Sequence, residues 1–112
     1  MKSKPNYHDI FCQRLKQARL AKGLSQKQLG IEAGIDEFVA SPRINRYERG
    51  VHEANTETIQ LLADVLGVPL AYFYTADNEL AELILAFQAL SPEEKPEILA
   101  QVKSRAERPR QA

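Results

Sequence analysis

Four glycines, Gly23, Gly34, Gly50 and Gly67, each stand directly after a stretch whose apolar residues recur at three- and four-residue steps. That punctuation restricts the chain to short helices packed side by side. Glycine enters the left-handed backbone region that closes a helix with almost no strain, and helical spacing marks one buried stripe per segment. In the first stretch Asp9 is the expected cap and Ile10, Phe11, Leu15 and Ala18 the stripe, up to Gly23. In the second, Ser25 and Gln28 form a Ser-x-x-Gln capping box, and the helix runs to about Ala33. Asn55 caps another, in which Ile59, Leu62, Ala63 and Leu66 face inward before Gly67, and a short fifth helix opens at Pro69 and ends near Tyr74. No segment alternates apolar and polar residues as a half-buried strand does, so the fold class is all-α.

The stretch between Gly34 and Gly50 has two readings. Asp36 can cap a helix through Glu37, Phe38 and Val39, but Pro42 would then lie inside it, at a cost of roughly 3 kcal/mol. With Ser41 as the cap, Pro42 occupies the first helical position, where its fixed φ suits the helix. The third helix is therefore expected from about Ser41 to Arg49, with Ile44 and Tyr47 facing inward. Further on, Leu80, Leu83, Ile84 and Phe87 mark a helix ending near Leu90. Ser91 and Glu94 then form a second capping box leading into Ile98, Leu99 and Val102, with Pro96 kinking or delaying its first turn. The charged tail from Ser104 to Ala112, which contains Pro109, is expected to fray. These features divide the chain into a domain over residues 1–76 and a helical extension over residues 77–112.

Charge adds an asymmetry that the formal net charge of zero conceals. Residues 1–52 carry ten Lys and Arg against five Asp and Glu, and residues 53–112 carry five against ten, so the halves are +5 and −5. A basic module joined to an acidic one suits a phosphate-binding face beside a protein-contact region. The 112 residues fit one compact domain with a short extension and leave no room for a second, catalytic domain. No apolar run is long enough to cross a bilayer. The polar start, Met1 to Asn6, lacks the apolar core of a signal peptide, and the single Cys12 forms no internal disulfide, so a cytoplasmic location is expected. His8 and His52 have no partner at ligand spacing, so no metal site is expected. No Ser/His/Asp set, paired-acid motif or glycine-rich phosphate loop is present either, and neither enzymatic activity nor a cofactor is expected. Cys12, next to Phe11, reads as a small buried filler rather than a redox sensor.

Two short helices joined through Gly34, followed by a third that ends at Gly50, suggest a helix-turn-helix. The blocks Gly23-Leu24-Ser25-Gln26-Lys27-Gln28-Leu29, Ala33-Gly34-Ile35, Arg46-Tyr47-Glu48-Arg49-Gly50 and Leu62-Ala63-Asp64-Val65-Leu66-Gly67-Val68 closely resemble the Cro/C1-type (XRE) helix-turn-helix family. The resemblance spans about residues 9–74, apart from one loop some four residues longer than usual, Ile35-Asp36-Glu37-Phe38. In that loop Phe38 either plugs the core or lies where the loop itself touches DNA, although its two acids disfavour phosphate.

The resemblance implies a five-helix lambda-repressor-like domain with one or two added C-terminal helices, binding a double-stranded DNA operator as a homodimer in a bacterial or phage setting. It places base readout on Ser41, Pro42, Arg43, Asn45 and Arg46. Phosphate contact falls to Gln26, with Lys27, Arg49 and His52 as flanking groups and the amides opening helices two and three as dipole ends. Arg19 and Glu48 match a structural ion pair. The side chains suit these roles, since Arg43 and Arg46 can fork onto guanine O6 and N7, and Asn45 can pair with adenine N6 and N7. Leu80, Leu83, Ile84 and Phe87 either fold back on the domain or form a dimer or partner contact. Dimerisation is the preferred reading, because a two-fold dimer reads two half-sites. Repression is the expected sign of regulation. The competing readings are an antitoxin whose segment from Glu79 to Arg108 clamps a protein partner, and a protein-binding module without DNA activity.

Overall fold

A computed structural model of the chain describes residues 6–109. Seven helices follow one another: α1 (Tyr7–Lys22), α2 (Gln26–Glu32), α3 (Glu37–Arg49), α4 (Thr56–Leu66), α5 (Leu70–Phe73), α6 (Asn78–Ala89) and α7 (Glu94–Ala106), with no strand among the described residues. The architecture is all-α, a five-helix domain extended by two C-terminal helices. The two capping boxes form. Ser25 Oγ accepts from the Gln28 amide at 3.0 Å while Gln28 Oε1 accepts from the Ser25 amide at 2.9 Å, and Ser91 and Glu94 make the same exchange at 3.1 Å in both directions. Pro96 delays α7 without breaking it, because it stands in the first turn, where an amide has no helical partner.

Three boundaries differ from the sequence reading. The cap of α1 is Asn6 rather than Asp9: Asn6 Oδ1 accepts from the amides of His8 and Asp9 at 3.0 and 3.3 Å, which leaves Asp9 in the first turn, facing the positive end of the helix dipole. Helix α7 continues through Ala106, past the expected onset of fraying at Ser104; residues 110–112 of that tail lie outside the described residues. Most consequential, α3 starts at Glu37 rather than Ser41 and carries Pro42 in its interior. Asp36 is the cap, its Oδ1 accepting from the Phe38 amide at 2.9 Å. The turn so formed seats Ala40, fully buried, on Gly30 of α2, one helical turn ahead of Ile44 in the core. The cap and this packing outweigh the missing Pro42 hydrogen bond, whose would-be acceptor, the carbonyl of Phe38, belongs to an exposed residue. The longer loop of the sequence reading is thus an extra turn of helix, and Phe38, at 85% exposure, does not plug the core.

The core draws one completely buried large side chain from each of the first five helices: Leu15, Leu29, Ile44, Leu62 and Phe73. Each contributes about 1.5–3 kcal/mol by leaving water. Phe11 meets Phe73 edge-on, with ring centroids 5.2 Å apart, and so ties α5 to α1. Helix α6 lays Ala81 and Leu85 on this core, and Gln88 Nε2 donates to the carbonyl of Gly67 at 2.9 Å. Helix α7 contains no buried residue. It stands off the body, and the radius of gyration is 16.9 Å, against roughly 13 Å for a compact chain of about this size.

Candidate nucleic-acid interface

Helices α2 and α3 are held at their crossing by an unusually close approach. A Cβ placed on Gly30 would lie 2.7 Å from Ala40 Cβ and 3.0 Å from Ala40 Cα, so α2 and α3 touch nearly backbone to backbone. The far end of α3 is fixed by charge. Arg19 Nε donates to Glu48 Oε2 at 2.6 Å and Arg19 Nη2 to Glu48 Oε1 at 3.1 Å, a two-pronged pair with both side chains almost fully buried. Arg19 Nη1 also donates to the Leu24 carbonyl at 2.9 Å, and Gln26 Nε2 donates to Glu48 Oε1 at 3.2 Å. One carboxylate therefore joins α1, α2 and α3. Such a pair fixes geometry more than it adds net stability, because both charges lose hydration.

Between these anchors α3 presents one open face. Ala40, Ile44 and Tyr47 are buried, and the 3.6-residue period puts Phe38, Pro42, half-buried Asn45 and Arg49 on the opposite line, with exposed Arg46 beside it and Arg43, also exposed, on the flank next to Tyr47. Of the sequence-predicted readers, Pro42, Arg43 and Arg46 are exposed and Ser41 and Asn45 half-buried. Ser41 lies mid-helix rather than at a cap, because the helix begins a turn earlier. Of the residues expected to contact phosphate, Lys27, Arg49 and His52 are exposed, and Gln26, half-buried, is tied into the ion-pair network. The expected anion-attracting start of the third helix does not form, since Asp36 caps α3 and Glu37 occupies its first turn, leaving two carboxylates at its positive end.

Several structural contributors escaped the sequence reading. Gly30 left no local signal, because its role depends on Ala40 across the crossing. His8 Nε2 donates to the carbonyl of Gly50 at 3.1 Å and so ties the start of α1 to the end of α3. Arg14 is 6% exposed and hydrogen-bonds to the carbonyls of Thr75 and Ala76, to Asn78 Oδ1 and to Gln17, with its guanidinium carbon 5.6 Å from the centre of the Tyr72 ring. It clamps the segment between α5 and α6 onto α1. Its spacing from Phe11 and Ala18 did carry a signal, placing it on the buried stripe of α1. Burial pushes the Cys12 thiol above its ordinary pKa, with Asp9 and Glu48 adding to the effect, as befits a filler thiol.

The α6 stripe divides. Ile84 leans on the core, Leu80 and Leu83 are about half exposed, and Phe87 is intermediate. With Ile98, Leu99 and Val102 of α7 they line an apolar groove of about 480 Å³. Among the described residues no group of three or more His, Cys, Asp or Glu side chains is placed to hold a metal, and no helix is long and apolar enough to cross a membrane.

A recognition helix braced against a second helix by a buried carboxylate, with its outward face carrying arginines and an asparagine, is the arrangement of a DNA-binding transcription regulator. The sequence pattern of the helix-turn-helix family matches residues 15–73, and the chain belongs to that family, in its Cro/C1 (XRE) branch. The chain is similar to the transcriptional regulator BswR, whose crystal structure is 50% identical, superposes with a TM-score of 0.79, and covers 83% of this chain and 92% of its own. It is also similar to uncharacterized HTH-type transcriptional regulators of Sinorhizobium medicae and Rhizobium meliloti, each 32% identical over 74 residues, or 65% of this chain. The chain spans about half the length of these curated relatives.

Proposed function

We propose that the protein is a sequence-specific repressor that reads the major groove of an operator with α3 and binds as a homodimer. The observation that carries this is the stretch of α3 between its two rigid anchors, where Arg43 and Arg46 are exposed and Asn45 is half-buried, and where none of the three has a side-chain hydrogen-bond partner among the described residues. Each arginine that forks onto a guanine supplies about 1–3 kcal/mol of discrimination, roughly five- to 150-fold. Gln26 commits one amide hydrogen to Glu48 and keeps the other for a phosphate oxygen, so the group that sets the register on the backbone is linked to the helix that reads the bases. Lys27, Arg49 and His52 extend the phosphate contact. A cytoplasmic, non-enzymatic role without cofactor fits this reading.

A fluorescence-anisotropy titration tests it, with DNA from upstream of the protein's own gene against scrambled DNA at several salt concentrations. Wild type prefers the upstream duplex, and Arg46→Ala loses that preference while keeping its salt-dependent binding to any duplex. Absence of binding by either protein at low salt defeats the reading in favour of a protein-binding module. For the dimer, the proposed occupant of the α6–α7 groove is a second copy of the chain. The support is that α7 is amphipathic, stands off its own body, and offers Leu99 and Val102 about half exposed. Leu83→Glu with Phe87→Glu yields monomers in sedimentation velocity; a dimer that survives both changes refutes the assignment, and a complex with an unrelated protein in its place favours the antitoxin reading.

A further inference from the structure

The first turn of α3 has chemistry unlike the rest of the recognition face. Phe38, 85% exposed, has the highest exposure of any large apolar side chain among the described residues, and Val39 beside it is 42% exposed. Pro42, also exposed, lies one turn further on the same outward line as Phe38, and that line continues through Asn45 to Arg49. Apolar residues thus open the face that arginines finish. Asp36 and Glu37 flank this tip, so like-charge repulsion keeps it away from phosphates. The turn is not a loose end, because Ala40 anchors it on Gly30. Of the groups that the major-groove edge of a base pair displays, one is apolar, the 5-methyl of thymine.

We propose that the extra turn of α3 reads a thymine methyl group, with Phe38 as the principal contact and Val39 and Pro42 closing around it. The inference rests on the DNA-reading role proposed for α3. It makes Phe38 and Val39 specificity-determining residues, although neither can donate or accept a side-chain hydrogen bond. Phe38 lies eight residues before Arg46, about 12 Å along the helix at 1.5 Å per residue. The thymine therefore falls within about three to four base pairs of the guanine that Arg46 contacts, at 3.4 Å per base pair.

The test starts by enriching duplexes from a random pool with the full-length wild type, then replaces each thymine of the selected site in turn by deoxyuridine, which differs only in lacking the methyl. Titrations use wild type and Phe38→Ala. One replacement weakens wild type about four-fold, the worth of burying one carbon of this size, and the same replacement leaves Phe38→Ala unchanged. Because Phe38 is exposed, the variant keeps the wild-type melting temperature, so its effect is separable from misfolding. A wild type indifferent to every replacement overturns the proposal while leaving DNA reading intact. So does a Phe38→Ala protein that is weakened equally on both kinds of site, since its contact then involves something other than the methyl. Failure to enrich any duplex overturns the DNA-reading role together with this proposal.

Discussion

Replacing Gly30 by alanine sets two known effects of opposite sign against each other. Alanine within a helix is favoured over glycine by about 0.8–1.0 kcal/mol, so on propensity alone Gly30→Ala stabilises α2. The new Cβ, however, arrives 2.7 Å from Ala40 Cβ, 3.0 Å from its Cα and 3.1 Å from its carbonyl oxygen. Carbon atoms rest at about 3.5–4.0 Å, so the helices must part by about 1 Å, and no rotamer change relieves a contact with backbone and a Cβ. Overpacking of this kind costs about 1–3 kcal/mol. The steric effect is the larger of the two, for a net loss of up to about 2 kcal/mol, which lowers the melting temperature by roughly 4–8 °C per kcal/mol. Thermal unfolding followed by circular dichroism measures it on the full chain. Ala40→Gly alone also destabilises, but the double variant regains part of the loss because it removes the nearest of the three contacts, so the two changes are coupled. A Gly30→Ala protein that melts at or above wild type, or strict additivity in the cycle, refutes the claim that α2 and α3 are held at contact distance here.

Other substitutions probe the remaining anchors. Glu48→Gln leaves the buried Arg19 guanidinium without a counter-charge and is expected to cost about 3–5 kcal/mol, read as a lower urea midpoint; Arg19→Met on top of it costs less than the sum of the two single changes. Arg14→Met strands the carbonyls of Thr75 and Ala76, and loses about 1.5–3 kcal/mol, with amide hydrogen exchange rising first in α6. Pro42→Ala restores a helical donor and raises the melting temperature, by less than the full penalty of about 3 kcal/mol because the affected turn is exposed.

The helix stops and most caps were legible in the sequence because their causes are local: a glycine at left-handed φ, or a side-chain oxygen within three residues of the amide it caps. The start of α3 was not, because a local rule met a tertiary one. Pro42 argues for a helix that begins at Ser41, and nothing nearby shows that Ala40 belongs against Gly30, ten residues back and on another helix. The cap at Asp36 was visible, but its weight of about 1 kcal/mol does not by itself offset a proline. The ion pair between Arg19 and Glu48 entered through family resemblance, since residues 29 apart give no periodic signal. Arg14 shows the reverse case. Its position on the stripe of α1 was readable, yet a charge on a buried stripe has meaning only once its backbone acceptors, the carbonyls of Thr75 and Ala76 more than sixty residues away in sequence, are known.

The two ends of α3 are fixed by different physics, and this predicts different consequences for mutation. Near the N-terminal end the contact of Ala40 with Gly30 sets the distance between helices; near the C-terminal end Glu48 sets the rotation through Arg19 and Gln26. The anchors are eight residues, about 12 Å, apart along the axis, and Arg43, Asn45 and Arg46 all lie between them. On the proposed reading, changes at exposed Arg43 and Arg46 leave the backbone where it is, so they are expected to alter which sequence is preferred with little effect on stability. Changes at either anchor move all three proposed readers together, so they are expected to lower the specific-to-scrambled ratio and the melting temperature at the same time. Paired measurements of melting and of specific-to-scrambled affinity ratio across Arg43→Ala, Arg46→Ala, Gly30→Ala and Glu48→Gln separate the two classes. An anchor variant that changed the ratio while keeping full stability would mean that the helix is steered by something other than these two contacts.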